Sequence, residues 1–144
     1  MTLGMLLLWP MLAQMGWTFF LYAWLTWARQ QAVKRGKIGY SVFLLGREEP
    51  LEVARITRNL ANQFELPVLF YAVVGLLVAL RAVGTIDLIA AWAFFLGRIV
   101  HSLVQTLTND VLLRGRVFLI GFAAVAVLVA HLGLLALKGA GPSP

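Results

Sequence analysis

Residues 55–75 read RITRNLANQFELPVLFYAVVG. The first half, Arg55 to Glu65, holds two arginines, three side-chain amides and a carboxylate, and Pro67 with an apolar run follows at once. Leu60 to Leu80 is long enough to cross a bilayer, which takes about 20 residues at ~1.5 Å rise each. An ionisable group in or beside such a span is costly unless paired, so it is by default functional or tightly partnered. The stretch therefore predicts a helix that starts polar in the cytoplasm, carries a candidate site at the membrane boundary and then enters lipid.

Working outward, three further runs have the same length and composition: Leu3 to Trp27, Ile86 to Leu107 and Val117 to Leu137. The 144 residues are 61% hydrophobic and 12% charged, with a mean hydropathy of +0.87. A soluble domain of this size cannot cover so much apolar surface, whereas a polytopic protein uses lipid as its solvent. The expected fold is an all-α integral membrane protein, one four-transmembrane-helix bundle over residues 1–144. Its spans fall at about 3–27, 60–80, 86–107 and 117–137, residues 28–50 form a loop, and helix two starts near Leu51. Pro50 and Glu52 suit that start, since proline fits a first turn and an acid complements the helix dipole. Pro67 should bend the second helix just past Glu65.

Charge sets the orientation. Of the 12 Lys+Arg against 6 Asp+Glu, Arg29, Lys34, Arg35, Lys37, Arg47, Arg55, Arg114 and Arg116 gather on the first and third loops. Arg81 and Lys138 lie on the opposite side. This positive-inside pattern, rather than nucleic-acid binding, accounts for the basic excess. It places both termini on the non-cytoplasmic side, in a bacterial inner membrane. The first run lacks a basic n-region and is too long for a signal peptide, so it reads as a retained span. The chain has no cysteine, which excludes structural disulfides and a thiol nucleophile of its own; any sulfur chemistry must come with a ligand.

Arg55, Arg58, Asn62 and Glu65 stand at i, i+3, i+7 and i+10, within roughly an 80° arc of one helix. Span three carries Arg98, His101 and Gln105 at i, i+3 and i+7. By the ~1.5 Å rise, Glu65 and Arg98 both lie roughly 8–10 Å below the cytoplasmic boundary, so the two stripes meet at one level. An ion pair between Glu65 and Arg98 is the simplest structural account, but it leaves Arg55, Arg58, Asn62, Gln63 and His101 unexplained. Surplus positive charge around one carboxylate suits a ligand with several carboxylates and an amine, because arginine grips carboxylates with paired donors.

R-x-x-R-x-x-x-N-x-x-E followed by proline resembles the second-helix signature of the MAPEG superfamily, the membrane-associated proteins in eicosanoid and glutathione metabolism. NLANQFELPVLFYA is especially similar to bacterial members. Arg98, Val100 and His101 (R-x-V-H), then Thr106, Asn109 and Asp110 (TxxND), then RGRVF from Arg114 to Phe118, match the family's order and spacing over nearly the whole chain. The resemblance implies a homotrimer of four-helix subunits that binds glutathione between neighbours on the cytoplasmic side. By position, Arg58, Asn62 and Glu65 would hold the peptide, Arg98 and His101 would line the pocket, and Arg116 or Arg114 would stabilise the thiolate. Such a protein is a glutathione transferase or peroxidase acting on lipophilic electrophiles or hydroperoxides. Gln105 departs from the pattern, since characterised eukaryotic members carry tyrosine there.

Two readings from other classes stand beside this one: a non-catalytic trimer that binds lipid or a partner protein, and a small four-span transporter using Glu65. Arginines crowding Glu65 argue against proton carriage. His101 and His131, at about 9 and about 22 Å from the cytoplasmic boundary by the same rise, are too far apart in depth to share a haem, and no metal site is expected. His131, like the Gln14, Thr18 and Tyr22 stripe of span one, is expected to bond between helices. Asp87 and Arg81 are expected to be solvated at the external turn. Gly16, Gly75, Gly97 and Gly121 are placed to allow close helix approach.

Overall fold

A computed structural model describes residues 2–36, 38–44 and 49–139; Lys37, Leu45, Gly46, Arg47 and Glu48 of the first loop lie outside them. The described chain is helical throughout its ordered elements: α1 (Leu3–Lys34), α2 (Leu51–Ala61), α3 (Leu66–Ala79), α4 (Thr85–Leu107) and α5 (Val111–Gly139). Short 3-10 turns cover Tyr40–Leu44 and Asn62–Phe64. With α2 and α3 taken as one interrupted rod, four segments are long and apolar enough to cross a membrane.

Each helix start has a local cause. The Thr2 hydroxyl accepts from Met5 N at 3.4 Å and caps α1. Asp110 Oδ1 accepts from Leu113 N at 2.8 Å and starts α5. Asp87 Oδ2 accepts from Gly84 N at 2.7 Å and closes the turn into α4, as an acid near a helix N-terminus should. The second rod is interrupted before its proline rather than at it. α2 tightens into the turn at Asn62–Phe64, Glu65 leaves helical geometry, and Pro67 sits in the first turn of α3, where a missing N–H costs nothing.

Two apolar clusters hold the bundle. One joins Leu7, Phe70, Leu77, Phe94 and Leu128 across α1, α3, α4 and α5, with the Phe70 and Phe94 rings stacked at 4.2 Å. The other joins Leu21, Leu25, Val53, Ile56 and Leu60 between α1 and α2. The outer faces of all four rods expose large apolar side chains such as Phe19, Leu76, Ile89 and Leu119, the pattern required where lipid replaces water. α4 and α5 approach where Gly97 meets Gly121: a Cβ at Gly97 would lie 3.6 Å from Gly121 N. Gly16 and Gly75 serve no such contact, because a Cβ at either would meet nothing within 4 Å.

Between the clusters runs a buried polar chain. Gln14 Nε2 donates to Gln63 Oε1 (2.9 Å), and Gln63 Nε2 to the Asn59 carbonyl (3.0 Å). Asn59 Nδ2 donates to Thr106 Oγ1 (3.1 Å), Ser102 Oγ to Asn59 Oδ1 (3.0 Å) and Trp17 Nε1 to Ser102 Oγ (3.1 Å). Only Gln14 of the expected α1 stripe enters this chain. The Thr18 hydroxyl donates to the Gln14 carbonyl of its own helix, and Tyr22 is exposed, edge-on to Phe64.

Asp87 is not solvated as expected. Its carboxylate is 1% exposed, and His131 Nδ1 lies 2.9 Å from both of its oxygens. The cap bond to Gly84 turns Asp87 inward, where the α5 histidine supplies the partner that a buried charge requires. Arg81 does remain exposed.

Candidate functional site

The interruption between α2 and α3 builds the site. In a continuous helix the Asn62 carbonyl would be committed to its own ladder. In the turn it faces α4 and accepts from an Arg98 terminal nitrogen at 2.8 Å. The Asn62 side chain meets the same helix one turn further along, donating from Nδ2 to Gln105 Oε1 at 2.8 Å. One residue thus ties both polar stripes together by main chain and side chain.

The simple Glu65–Arg98 ion pair is not formed. Arg29 pairs with Glu49 at 2.5 Å, but no such contact joins Glu65 to Arg98. Arg98 is 2% exposed and spends its reach on a carbonyl, whereas Glu65, carried past the end of the turn, is exposed. The two remain neighbours in one cleft of about 260 Å³, lined also by Arg58, Asn62, His101 and Arg114. Phe118 and Gly115 of α5 complete its wall, and the His101 ring packs against Phe118 with centroids 6.0 Å apart.

A second cleft of about 270 Å³ continues from the first and shares Arg58, Val111 and Arg114 with it. It contains Arg55, Gln105 and Asp110, and the Arg55 guanidinium donates to Asn109 Oδ1 at its rim. Arg55 and Gln105 therefore belong to the outer cleft, while Arg58, Asn62, Glu65, Arg98 and His101 share the inner one.

Sequence spacing left Arg114 and Arg116 as equal alternatives. Arg114 is half-buried and lines both clefts; Arg116 is exposed and lines neither. The difference follows from where α5 begins. With Asp110 capping at Val111, Arg114 falls on the face turned towards α4, and two residues are about 200° of helix.

The electrostatic character is clear. The inner cleft brings three guanidinium groups around one carboxylate. Arg98 Nε and His101 Nδ1 of the inner cleft and Gln105 Nε2 of the outer one are buried without a hydrogen-bond partner among the described residues. Buried polar atoms are rarely left unpaired, since each costs about 1–3 kcal/mol. Three guanidinium groups suit a ligand rich in carboxylate and carbonyl oxygens, with Glu65 available for an ammonium.

Sequence reasoning did not anticipate that Asn59 and Gln63 turn away from the cleft into the buried chain, nor that Asp110 caps α5. The signals were present in part. Asn59 and Gln63 lie in the quoted stretch, but their helical positions overlap those of the site residues, so periodicity alone could not separate the two roles.

No curated protein and no solved structure significantly matches the chain. The sequence model of the MAPEG family matches residues 7–134, which include both clefts, the second and third membrane-spanning segments and most of the first and fourth. The chain thus belongs to the MAPEG family, the membrane-associated proteins in eicosanoid and glutathione metabolism.

Proposed function

We propose that the protein binds glutathione in this cleft and uses it as thiol co-substrate, in a transferase- or peroxidase-like reaction on lipophilic electrophiles or hydroperoxides. The observation that carries the reading is Arg58, Arg98 and Arg114 gathered around Glu65 above unpartnered buried nitrogens. Glutathione offers the complement: two carboxylates for arginines, one ammonium for a glutamate, and amide carbonyls for buried donors.

The chain's own residues would divide the work. Arg58 and Arg98 take carboxylates, Glu65 the ammonium, and Asn62 keeps the two stripes in register. Arg114 is the cation for the thiol. A nearby guanidinium lowers a thiol pKa from about 8.5 towards neutrality and so raises the attacking thiolate fraction. The thiolate sulfur then attacks the electrophilic carbon and expels its leaving group; with a hydroperoxide it attacks the terminal oxygen. The O–O bond then breaks, the alkoxide leaves and is protonated to the alcohol, and a second glutathione converts the resulting sulfenic acid to disulfide and water. The position of the cleft favours such chemistry, since it can take a polar thiol from water and a lipophilic substrate from the bilayer.

Exposure of polar groups supports assembly. Arg58 and Glu65 are exposed on a rod that crosses the membrane, and such groups cannot face lipid without large cost. A homotrimer, with the cleft closed by a neighbouring subunit, meets that need. The orientation that suits a cytosolic thiol is a bacterial inner membrane with both termini on the non-cytoplasmic side.

The deciding experiment is a thermal-shift and calorimetric titration of the purified full chain with glutathione, alongside native mass spectrometry. Expected are a trimer and a glutathione-dependent rise in melting temperature that Arg58→Ala and Glu65→Ala abolish. A stable monomer, or no response at millimolar glutathione, would overturn the proposal. Binding without turnover of any lipophilic electrophile would reduce it to a ligand-binding trimer.

A further inference from the structure

At the end of the bundle opposite the cleft, the first turn of α1 and the last turn of α3 enclose a cavity of about 500 Å³. Leu3, Met5, Leu8, Val78 and Val83 make most of its wall, and Arg81 is the single charged residue among those lining it. Among the described residues no carboxylate and no hydrogen-bond acceptor meets the Arg81 guanidinium. The one acid near that end, Asp87, is taken by His131 and by Gly84 N. Exposed Trp9 and Trp92, about two turns inside this end, mark the membrane–water boundary where indole rings collect. Arg81 therefore stands at headgroup level over an apolar chamber.

The backbone adds a second observation. α3 ends in a Schellman turn, with Ala82 N donating to the Leu77 carbonyl (3.0 Å) and Arg81 N to the Val78 carbonyl (3.1 Å). That turn puts Arg81 at φ 55°, the only positive φ outside glycine among the described residues. Glycine is the usual occupant because it alone adopts this conformation without steric cost. A chain that places arginine there accepts strain to keep a guanidinium at that spot, and strained residues of this kind cluster at ligand sites.

From the charge over the chamber and its apolar walls, we infer that this cavity binds an anionic phospholipid of the leaflet opposite the cleft. Its phosphate is held by Arg81, and part of an acyl chain lies against Leu8, Val78 and Val83. Arginine suits phosphate by its forked donors, and the apolar walls reward the chain but not a free anion. The assignment is independent of what the cleft binds.

The test uses the full chain in detergent, titrated with dioleoylphosphatidylglycerol, dioleoylphosphatidylcholine or inorganic phosphate, and followed by native mass spectrometry and melting temperature. The anionic lipid should be retained over the zwitterionic one and should raise the melting temperature, with inorganic phosphate inactive. Arg81→Gly should melt higher than wild type without lipid, because the positive φ is relieved, yet bind phosphatidylglycerol at least fivefold more weakly. Arg81→Gln should show the same binding loss without that gain. Leu8→Trp, which fills the chamber and leaves Arg81 in place, should also weaken lipid binding. Wild-type lipid affinity in Arg81→Gly and Arg81→Gln would overturn the inference, as would equal protection by inorganic phosphate. A change of oligomeric mass in Leu8→Trp would overturn it too, by showing that a second copy covers the cavity.

Discussion

Arg98 on α4 donates to the main-chain carbonyl of Asn62, 2.8 Å away, across the interruption of the second membrane rod. The bond does two things at once. It satisfies a carbonyl released where the helical ladder breaks, and it holds a buried guanidinium at the floor of a cationic cleft. A single α4 side chain therefore both repairs the break and arms the site.

Arg98→Lys keeps the charge but loses the planar fork and cannot reproduce that bond together with the remaining donors. Loss of a hydrogen bond to a charged group should destabilise the bundle by about 1.5–3 kcal/mol. The measurement is thermal melting of the purified variant against wild type, paired with a glutathione titration. Expected are a melting temperature lowered by several degrees and glutathione affinity at least tenfold weaker.

The two arginines at the start of α5 should separate. Arg114→Ala should slow conjugation of a generic lipophilic electrophile at neutral pH by one to two orders of magnitude, about 1.4 kcal/mol of barrier per tenfold. The sign of the pH effect follows from the thiol: removing a cation lets its pKa rise, so activity should return as pH is raised. Arg116→Ala should retain the wild-type pH–rate profile. Two superimposable profiles would remove Arg114 from the mechanism.

Asp87 and His131 form a clamp between α4 and α5, on the far side of the membrane from the cleft. Asp87→Ala removes the bond to Gly84 N, worth about 1 kcal/mol as a helix cap, and leaves His131 unpartnered. His131→Ala keeps the cap but strands the buried carboxylate, and breaking a buried pair costs roughly 3–5 kcal/mol, so it should lower the melting temperature more than Asp87→Ala. Glutathione affinity of the folded protein should be unchanged in both, which calorimetry at low temperature would check.

Asn59 is the node of the buried polar chain, bonding Thr106, Ser102 and Gln63. Asn59→Leu strands several buried partners at about 1–3 kcal/mol each before any relaxation. It should be among the most destabilising single changes in α2, ahead of Arg58→Ala, whose side chain is exposed. Melting curves of the two variants in the same detergent would rank them.

Tags at the two ends should both be cut by protease added to right-side-out vesicles and protected in inverted ones. A C-terminal tag accessible only in inverted vesicles would reverse the assumed entry of thiol from the cytoplasm.

Read alone, the sequence determined the quantities that depend on a single helix: four apolar runs of spanning length, the shared face of Arg55, Arg58, Asn62 and Glu65, and the matching stripe of Arg98, His101 and Gln105. Angle and depth along one helix follow from fixed rise and twist, so spacing is enough to read them. Which side chains meet across helices was decided only by tertiary structure. Glu65 stood at the right depth to pair with Arg98, yet the turn at Asn62–Phe64 offered Arg98 a carbonyl instead and left the carboxylate facing outward. Asp87 and His131 are 44 residues apart, and no local pattern joins them. Arg114 and Arg116 were equivalent until the cap at Asp110 set the starting angle of α5. In each case the missing quantity was the rotation of one helix against its neighbour, which side-chain packing sets and sequence spacing does not record.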